Sequence, residues 1–418
     1  MEKSGKFRLT SLERNWILYD VGNSAFVLMV ATLIPIFFNA LAAAGGLSSV
    51  EYLAYWGYAS SAVTIITAVL SPILGTVADT KGFKKPIFIL CVFVGIVGCC
   101  AMGAVSAWLP FLVIFVIAKV GFSGSLVFYD SMLSDVTTPE RMDEVSSRGY
   151  AWGYIGSCVP FVVCLGLVLG AGSIGISQIT ALNLALLLTA AWWLLTTLPL
   201  LKSYKQLYYV EVEKHAVRQS FARIGHTLRH LPEDKQVFWF LLAFFCYIDG
   251  VYTIIDMATA YGTALGLDTT GLLLALLVTQ IVAFPSALIF GRLSNKYPSA
   301  KLIPVCIAAY AGIAVFAFFL TRQWQFWVLA VIVGMFQGGV QALSRSHFAK
   351  IIPPEKSGEY FGLFDICGKG ASFLGTMIVS VGSQLTGSAN VGVGSLIVLF
   401  IVGFVLFRVS CKKEVVSE

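Results

Sequence analysis

Twelve apolar stretches, each about 20 residues or longer, divide this chain, and no other feature limits its fold as strongly. A helix needs about 20 apolar residues to cross a hydrocarbon core of roughly 30 Å. The stretches lie near 15–43, 52–78, 86–108, 109–134, 147–171 and 177–201, then near 236–264, 269–294, 300–321, 324–350, 358–384 and 389–410. A polar, basic segment over 202–235 is the only long break. The chain thus reads as an all-α integral membrane protein of twelve transmembrane helices. Its six-helix halves are 1–201 and 236–418, joined by a linker over 202–235. Composition excludes a soluble globule, since 58% of residues are hydrophobic and 12% charged, against about 25% charged in soluble chains.

Cations orient the bundle. Of the 28 Lys and Arg, only Arg322 falls in a loop on the odd-to-even side, and Lys119 and Lys369 lie deep within helices. The rest occupy the tails and the even-to-odd loops, or the helix ends beside them, which predicts both termini in the cytoplasm of a multi-pass cell-membrane protein. The net charge of +6 sits in these short loops and points to the bilayer rather than to nucleic acid. Residues 1–10 are polar and the first apolar run is a full span, so no cleavable signal is read. The 202–235 linker fits an amphipathic segment on the membrane surface and a solvated connection equally well.

Several function classes drop out. The nine cysteines fall almost entirely within apolar helices and in no metal-like spacing, so neither disulfides nor a metal site is expected. None of the four histidines (His215, His226, His230, His347) is mid-helix, and no nucleophile–base set shares one depth. No enzyme activity and no cofactor are expected. No G-x-x-x-x-G-K-[ST] loop is present, which removes an ATP-driven pump. No filter-like segment suggests a channel. A transporter-fold sensor would carry a large output domain, and the longest polar loop has only about 35 residues. Secondary transport of a small solute remains.

A short charged loop supports this. GTVADTKGFKK at 75–85 joins the second and third stretches as a helical hairpin. Its Gly75, Asp79, Gly82, Lys84 and Lys85 stand in the order Gly-x-x-x-Asp-x-x-Gly-x-Lys-Lys, which resembles the signature loop of the major facilitator superfamily. The second half repeats it weakly in Gly291-Arg-Leu-Ser-Asn295-Lys296, where Asn295 replaces the acid, so the charged anchor is assigned to the first half alone. WILYDVGNSAF (16–26), VFYDSML (127–133), SSRGYAWGYIG (146–156), YIDGVYTI (247–254), GMFQGGVQALSRS (334–346) and Tyr360-Phe-Gly362 together resemble the vacuolar-effluxer-like branch of that superfamily, whose fungal members export amino acids from the vacuole. Asp130 departs from the Asn common in that branch.

The resemblance implies the major facilitator fold, a monomer, and a site between the halves lined by helices 1, 4, 7 and 10. Ionisable groups within spans are costly and so face protein or water. The candidates for binding solute or protons are Asp20, Asn23, Lys119, Asp130, Asp249, Asp256, Gln337, Gln341 and Arg345. Asp249 near the middle of helix 7 is the expected proton carrier, with Asp256 two turns on along the same face. Lys119 is either its switching partner or its permanent ion-pair partner. Asp365 and Lys369, at i and i+4, can neutralise each other. For gating, Asp79 is expected to meet the start of helix 11, where free N–H groups favour an anion, with Arg141 or Arg148 as its cation. The leading substrate is an amino acid moved outwards with proton coupling; another small amphipathic metabolite or drug, taken up or exported, is the alternative.

Overall fold

A computed structural model describes residues 7–211, 225–227 and 229–411, apart from some side chains within the helices. Among the described residues twelve long helices follow in order. In the first half α1 (Ser11–Ala31) continues past Thr32 as Leu33–Ala44, then come α2 (Ser49–Ala78), α3 (Lys84–Met102), α4 (Trp108–Ser131, continued as Leu133–Val136), α5 (Met142–Leu169) and α6 (Gln178–Ser203). The second half holds α7 (Lys235–Ala264), α8 (Thr269–Leu293), α9 (Ser299–Phe318), α10 (Gln323–Ile351), α11 (Ser357–Thr386) and α12 (Ala389–Gly394, resuming as Ile397–Cys411). Each apolar stretch falls on one of them. Among the described residues eleven are long and apolar enough to cross a membrane; α11 matches them in length, with 30 residues, and carries Glu359, Asp365 and Lys369.

Local chemistry sets the helix ends. Thr10 and Glu13 form a reciprocal capping box at the start of α1, as do Ser48 and Glu51 at α2. The break at Thr32 has a cause three residues on. Pro35 has no N–H to offer the Ala31 carbonyl, and its ring crowds that oxygen.

Each half closes on its own core. In the first half, at the end away from the basic loops, Phe38 stacks on Trp56 and Phe111, Trp56 on Phe115, and Phe37 lies against Phe111. In the second half the aromatic packing (Phe240, Phe348, Phe361, Phe364, Phe407) gathers near the opposite end, on the side of the basic loops. The halves meet along α2 against α11 and α5 against α8.

The linker departs from expectation. After α6 the chain runs extended, and Val210 forms a parallel bridge with Thr80. The Val210 N–H donates to the Asp79 carbonyl at 2.8 Å, and the Lys81 N–H to the Val210 carbonyl at 3.3 Å. This part is neither a surface amphipathic helix nor a free connection, because the loop at 79–83 offers it unpaired backbone groups. Residues 212–224 and Leu228, where the amphipathic reading would also apply, lie outside the described residues.

Candidate functional site

The signature loop closes the basic face. A Cβ on Gly75 would stand 2.1 Å from the Gly358 carbonyl oxygen, so α2 and α11 touch at backbone distance only because glycine faces glycine. That approach brings Asp79 to the first turn of α11. The N–H groups of Gly358 and Glu359 donate to its two carboxylate oxygens at 2.7 and 2.8 Å. Helix N-termini favour such an anion because their first N–H groups have no partner within the helix. Lys84, fully buried, lies 3.9 Å from Asp79 and 3.4 Å from Asp135, and donates to the Ser357 hydroxyl at 2.9 Å. Burial pushes the Asp79 carboxyl up to about 7, against the pull of Lys84 and the two N–H donors. Gly82 turns the loop with φ of +77°, a conformation that favours glycine. Lys85 donates to the Tyr204 carbonyl.

Neither arginine expected to serve Asp79 does so. Arg141 forms a two-pronged pair with Glu13, at 2.8 and 2.7 Å, and Arg148 pairs with Glu144 on its own helix at 2.6 Å. Both arginines find a carboxylate nearer than Asp79, and Lys84, already on the loop, takes the role.

The second-half repeat lies opposite, with its charges exchanged. Gly291 packs on Ser147 of α5, and Asn295 donates to the Glu144 carboxylate at 2.6 Å. Here the loop supplies the neutral donor and α5 the acid. Asp143 adds two further ties between the halves, accepting from the Ser346 hydroxyl and from Lys350, both at 2.6 Å. Asp135, Asp143, Glu144 and Ser357 join these contacts, and sequence reasoning does not single them out. The three acids have one sequence signal, an unusual density of acids in a loop otherwise on the basic side; Ser357 has none.

Beneath this seal lies Arg345 of α10, 2% exposed. Its guanidinium donates to Asp130 at 2.9 Å and to the hydroxyl and carbonyl of Ser146 at 2.9 and 3.0 Å, with Asp20 at 3.7 Å. It lies over the rings of Trp16 and Tyr150, and the Tyr129 hydroxyl donates to Asp20. Asp20, Asp130 and Arg345, predicted separately, form one cluster joining α1, α4, α5 and α10. Gln341 adds a bridge, accepting from the Tyr154 hydroxyl at 2.7 Å. Asn23 is buried and donates to the Tyr19 carbonyl of its own helix.

Deeper in the bundle the carboxylates divide differently than their spacing suggests. Asp249 is fully buried. Both its oxygens accept from the Gly375 N–H of α11 at 2.9 Å, and the Thr253 hydroxyl donates to it. Lys119 is therefore not its partner. The Lys119 ammonium acts instead on Asp256, and lies over the Phe122 ring. Asp256 is exposed and Lys119 half-buried. Both sit about 12–17 Å from the helix ends away from the basic face, at ~1.5 Å per residue. Asp249 and Asp256 share one side of α7 by spacing, yet α11 covers the first and leaves the second open. Gln337 is buried in α10. Asp365 accepts from the Ser71 hydroxyl at 2.7 Å, while the Lys369 side chain lies outside the described residues. Among the described residues no cluster of His, Cys, Asp and Glu has the form of a metal site.

The linker straps the 79–83 loop. The Gln206 side chain accepts from the Gly82 N–H at 3.0 Å and donates to the Ala78 carbonyl at 3.1 Å. Asp135 accepts from the Tyr204 hydroxyl and from the N–H groups of Leu207 and Tyr208, while also holding Lys84. Each such hydrogen bond is worth about 1 kcal/mol net. Gln206→Ala is therefore expected to loosen the loop, raising thiol labelling of a single cysteine at Ser357 by about tenfold. An unchanged labelling rate, in protein freed of the nine native cysteines, counts against the strap.

Comparison with known proteins gives the family and the fold. A family model described as "Vacuole effluxer Atg22 like" matches residues 11–415. The chain belongs to the Atg22-like family. Within it, the chain is 42% identical over 404 residues to an uncharacterized MFS-type transporter, YxiO, of Bacillus subtilis, covering 96% of this chain and 94% of that one. It is 25% identical to autophagy-related protein 22 of Coccidioides immitis over 64% of this chain, and spans about half (51%) of that fungal relative's length. Solved structures place the Atg22-like chain in the major facilitator fold. The human organic anion transporter MFSD10 superposes with TM-score 0.72 at 14% identity, over 95% of this chain and 98% of that one. FucP in its outward conformation superposes with TM-score 0.71 at 16% identity, over 96% and 98%. This protein is a major facilitator transporter of the Atg22-like branch.

Proposed function

We propose that this transporter moves a small zwitterionic solute, most simply an amino acid, outwards across the cell membrane by alternating access, using the proton gradient. The single observation that carries this reading is the placement of Lys119 on α4 and Asp256 on α7, in different halves, at similar depth and neither fully buried, above a sealed basic face. A carboxylate and an ammonium so placed offer complementary sites to a zwitterion. The basic face is taken as cytoplasmic, as the cation distribution predicts, which makes the arrangement outward-open with its inner gate shut.

Asp256 replaces Asp249 as the coupling group in this reading. A coupled carrier must bind its proton more tightly in one conformation than in the other, since equal affinity shifts nothing. Asp256 is open to water here, and its surroundings change when the outer ends close. Asp249 is held by α11 within its own half and does not cross between states.

Asp256→Asn decides between coupling and mere structure. In proteoliposomes with an imposed pH gradient, accumulation of labelled amino acid is expected to fall at least tenfold, while exchange persists at a higher solute concentration because the asparagine oxygen still accepts from the ammonium. Undiminished proton-driven accumulation by the variant removes the coupling role. Lys119→Met is expected to weaken solute binding and exchange together.

A further inference from the structure

We propose that the outer part of the second half contains a subsite for a short apolar group of the transported solute, oriented by Gln337; this rests on solute binding at Lys119 and Asp256. A cavity of about 60 Å³ lies there, walled by α7 to α12, with Thr253, Met257, Ala275, Ala330, Val333 and Gln337 on its surface. Gln337 is 4% exposed, and its carbonyl oxygen has no hydrogen-bond partner among the described residues. Buried amides are nearly always partnered, so an acceptor left open on a cavity wall is suited to a donor that arrives with a ligand. The neighbouring hydroxyls are already committed: Thr253 donates to Asp249, and Thr279 to the Ala275 and Ala330 carbonyls.

The two halves differ at this depth. The first half fills its outer core with Phe37, Phe38, Trp56, Phe111 and Phe115, whereas the second leaves its own partly hollow. Size sets the occupant. An apolar cavity of about 150 Å³ accepts benzene, so 60 Å³ suits a chain of a few carbons and not a ring. Position sets its orientation. Asp256 is adjacent to Met257 and one turn from Thr253, so a solute whose ammonium rests at Asp256 has the cavity one helical turn away. A second N–H of the same ammonium, beside the alkyl group, then meets Gln337.

Glycine, alanine, 2-aminobutyrate, norvaline and norleucine form a series that tests this with full-length protein in proteoliposomes. Each methylene that enters the cavity is expected to improve apparent affinity about fourfold, until the space is full. Ala330→Leu fills the cavity and is expected to flatten the series to within about twofold while glycine and alanine are still carried. Ala275→Val is the milder filling variant should Ala330→Leu fail to fold. Gln337→Leu is expected to weaken every member about tenfold with the slope kept. An unchanged slope in a folded filled variant overturns the subsite alone. Failure of the wild-type protein to bind any of the five overturns the amino-acid reading, and the subsite with it.

Discussion

Arg345→Met is expected to abolish transport and to cost the protein several degrees of thermal stability. The buried guanidinium holds part-buried Asp130 at 2.9 Å and buried Asp20 at 3.7 Å. Removing one member of a buried charge cluster costs about 3–5 kcal/mol, here because Asp20 is left buried without its cation. Arg345→Lys keeps the charge but not the fork that reaches Asp130 and both oxygen atoms of Ser146. It should recover part of the stability and little of the transport. Combining Arg345→Met with Asp20→Asn and Asp130→Asn should restore folding without function. Fluorescence-detected size exclusion after heating measures the stability, and flux into proteoliposomes the activity. A stable, active Arg345→Met protein would show that the cluster holds nothing together.

Asp79→Asn is expected to lower transport tenfold or more in a protein that still folds. Asparagine keeps one acceptor for the start of α11 but turns an NH₂ towards the second N–H, placing donor against donor, whereas the hydroxyl oxygen of a protonated carboxyl can still accept there. The closed inner gate loses stability and the carrier no longer resets. A pH signature accompanies this. Burial holds the Asp79 carboxyl near 7 in the closed gate, among Lys84, Glu359 and the α11 N–H groups; open to water it returns to about 3.9. The closed gate therefore binds the proton more tightly. Closure gains as pH falls through 7 and weakens as pH rises above it. Labelling of a single cysteine at Ser357 should rise from pH 6 to pH 8 in the otherwise wild-type protein and stay flat in Asp79→Asn. Wild-type flux in that variant, or the same pH response, would remove Asp79 from the gate.

The amino-acid sequence by itself determined the helices, because a span is a local property: some twenty apolar residues have nowhere else to go. It also placed the hairpin loop. Gly75 and Gly82 are needed for reasons confined to a few neighbours, a close approach and a positive φ. The contact of Asp79 with the start of α11 was legible too, since any helix start attracts an anion.

Partner choice was not legible. Arg141 and Arg148 looked free to meet Asp79, but Glu13 reaches Arg141 once α1 packs beside α5, Glu144 holds Arg148 one turn away on its own helix, and Lys84 turns inwards to Asp79, Asp135 and Ser357. Helical spacing put Asp249 and Asp256 on one side of α7. Only the packing of α11, whose Gly375 N–H reaches Asp249, separated a buried, satisfied carboxylate from the exposed Asp256. The strap made by Tyr204 and Gln206, and the hollow beside Gln337, had no sequence signal, since each depends on what a distant segment covers or leaves bare. Chain-local chemistry decides which segments enter the membrane; the pairing of charges within it is decided by distances, several of them between residues over a hundred positions apart, and those exist only after the helices pack.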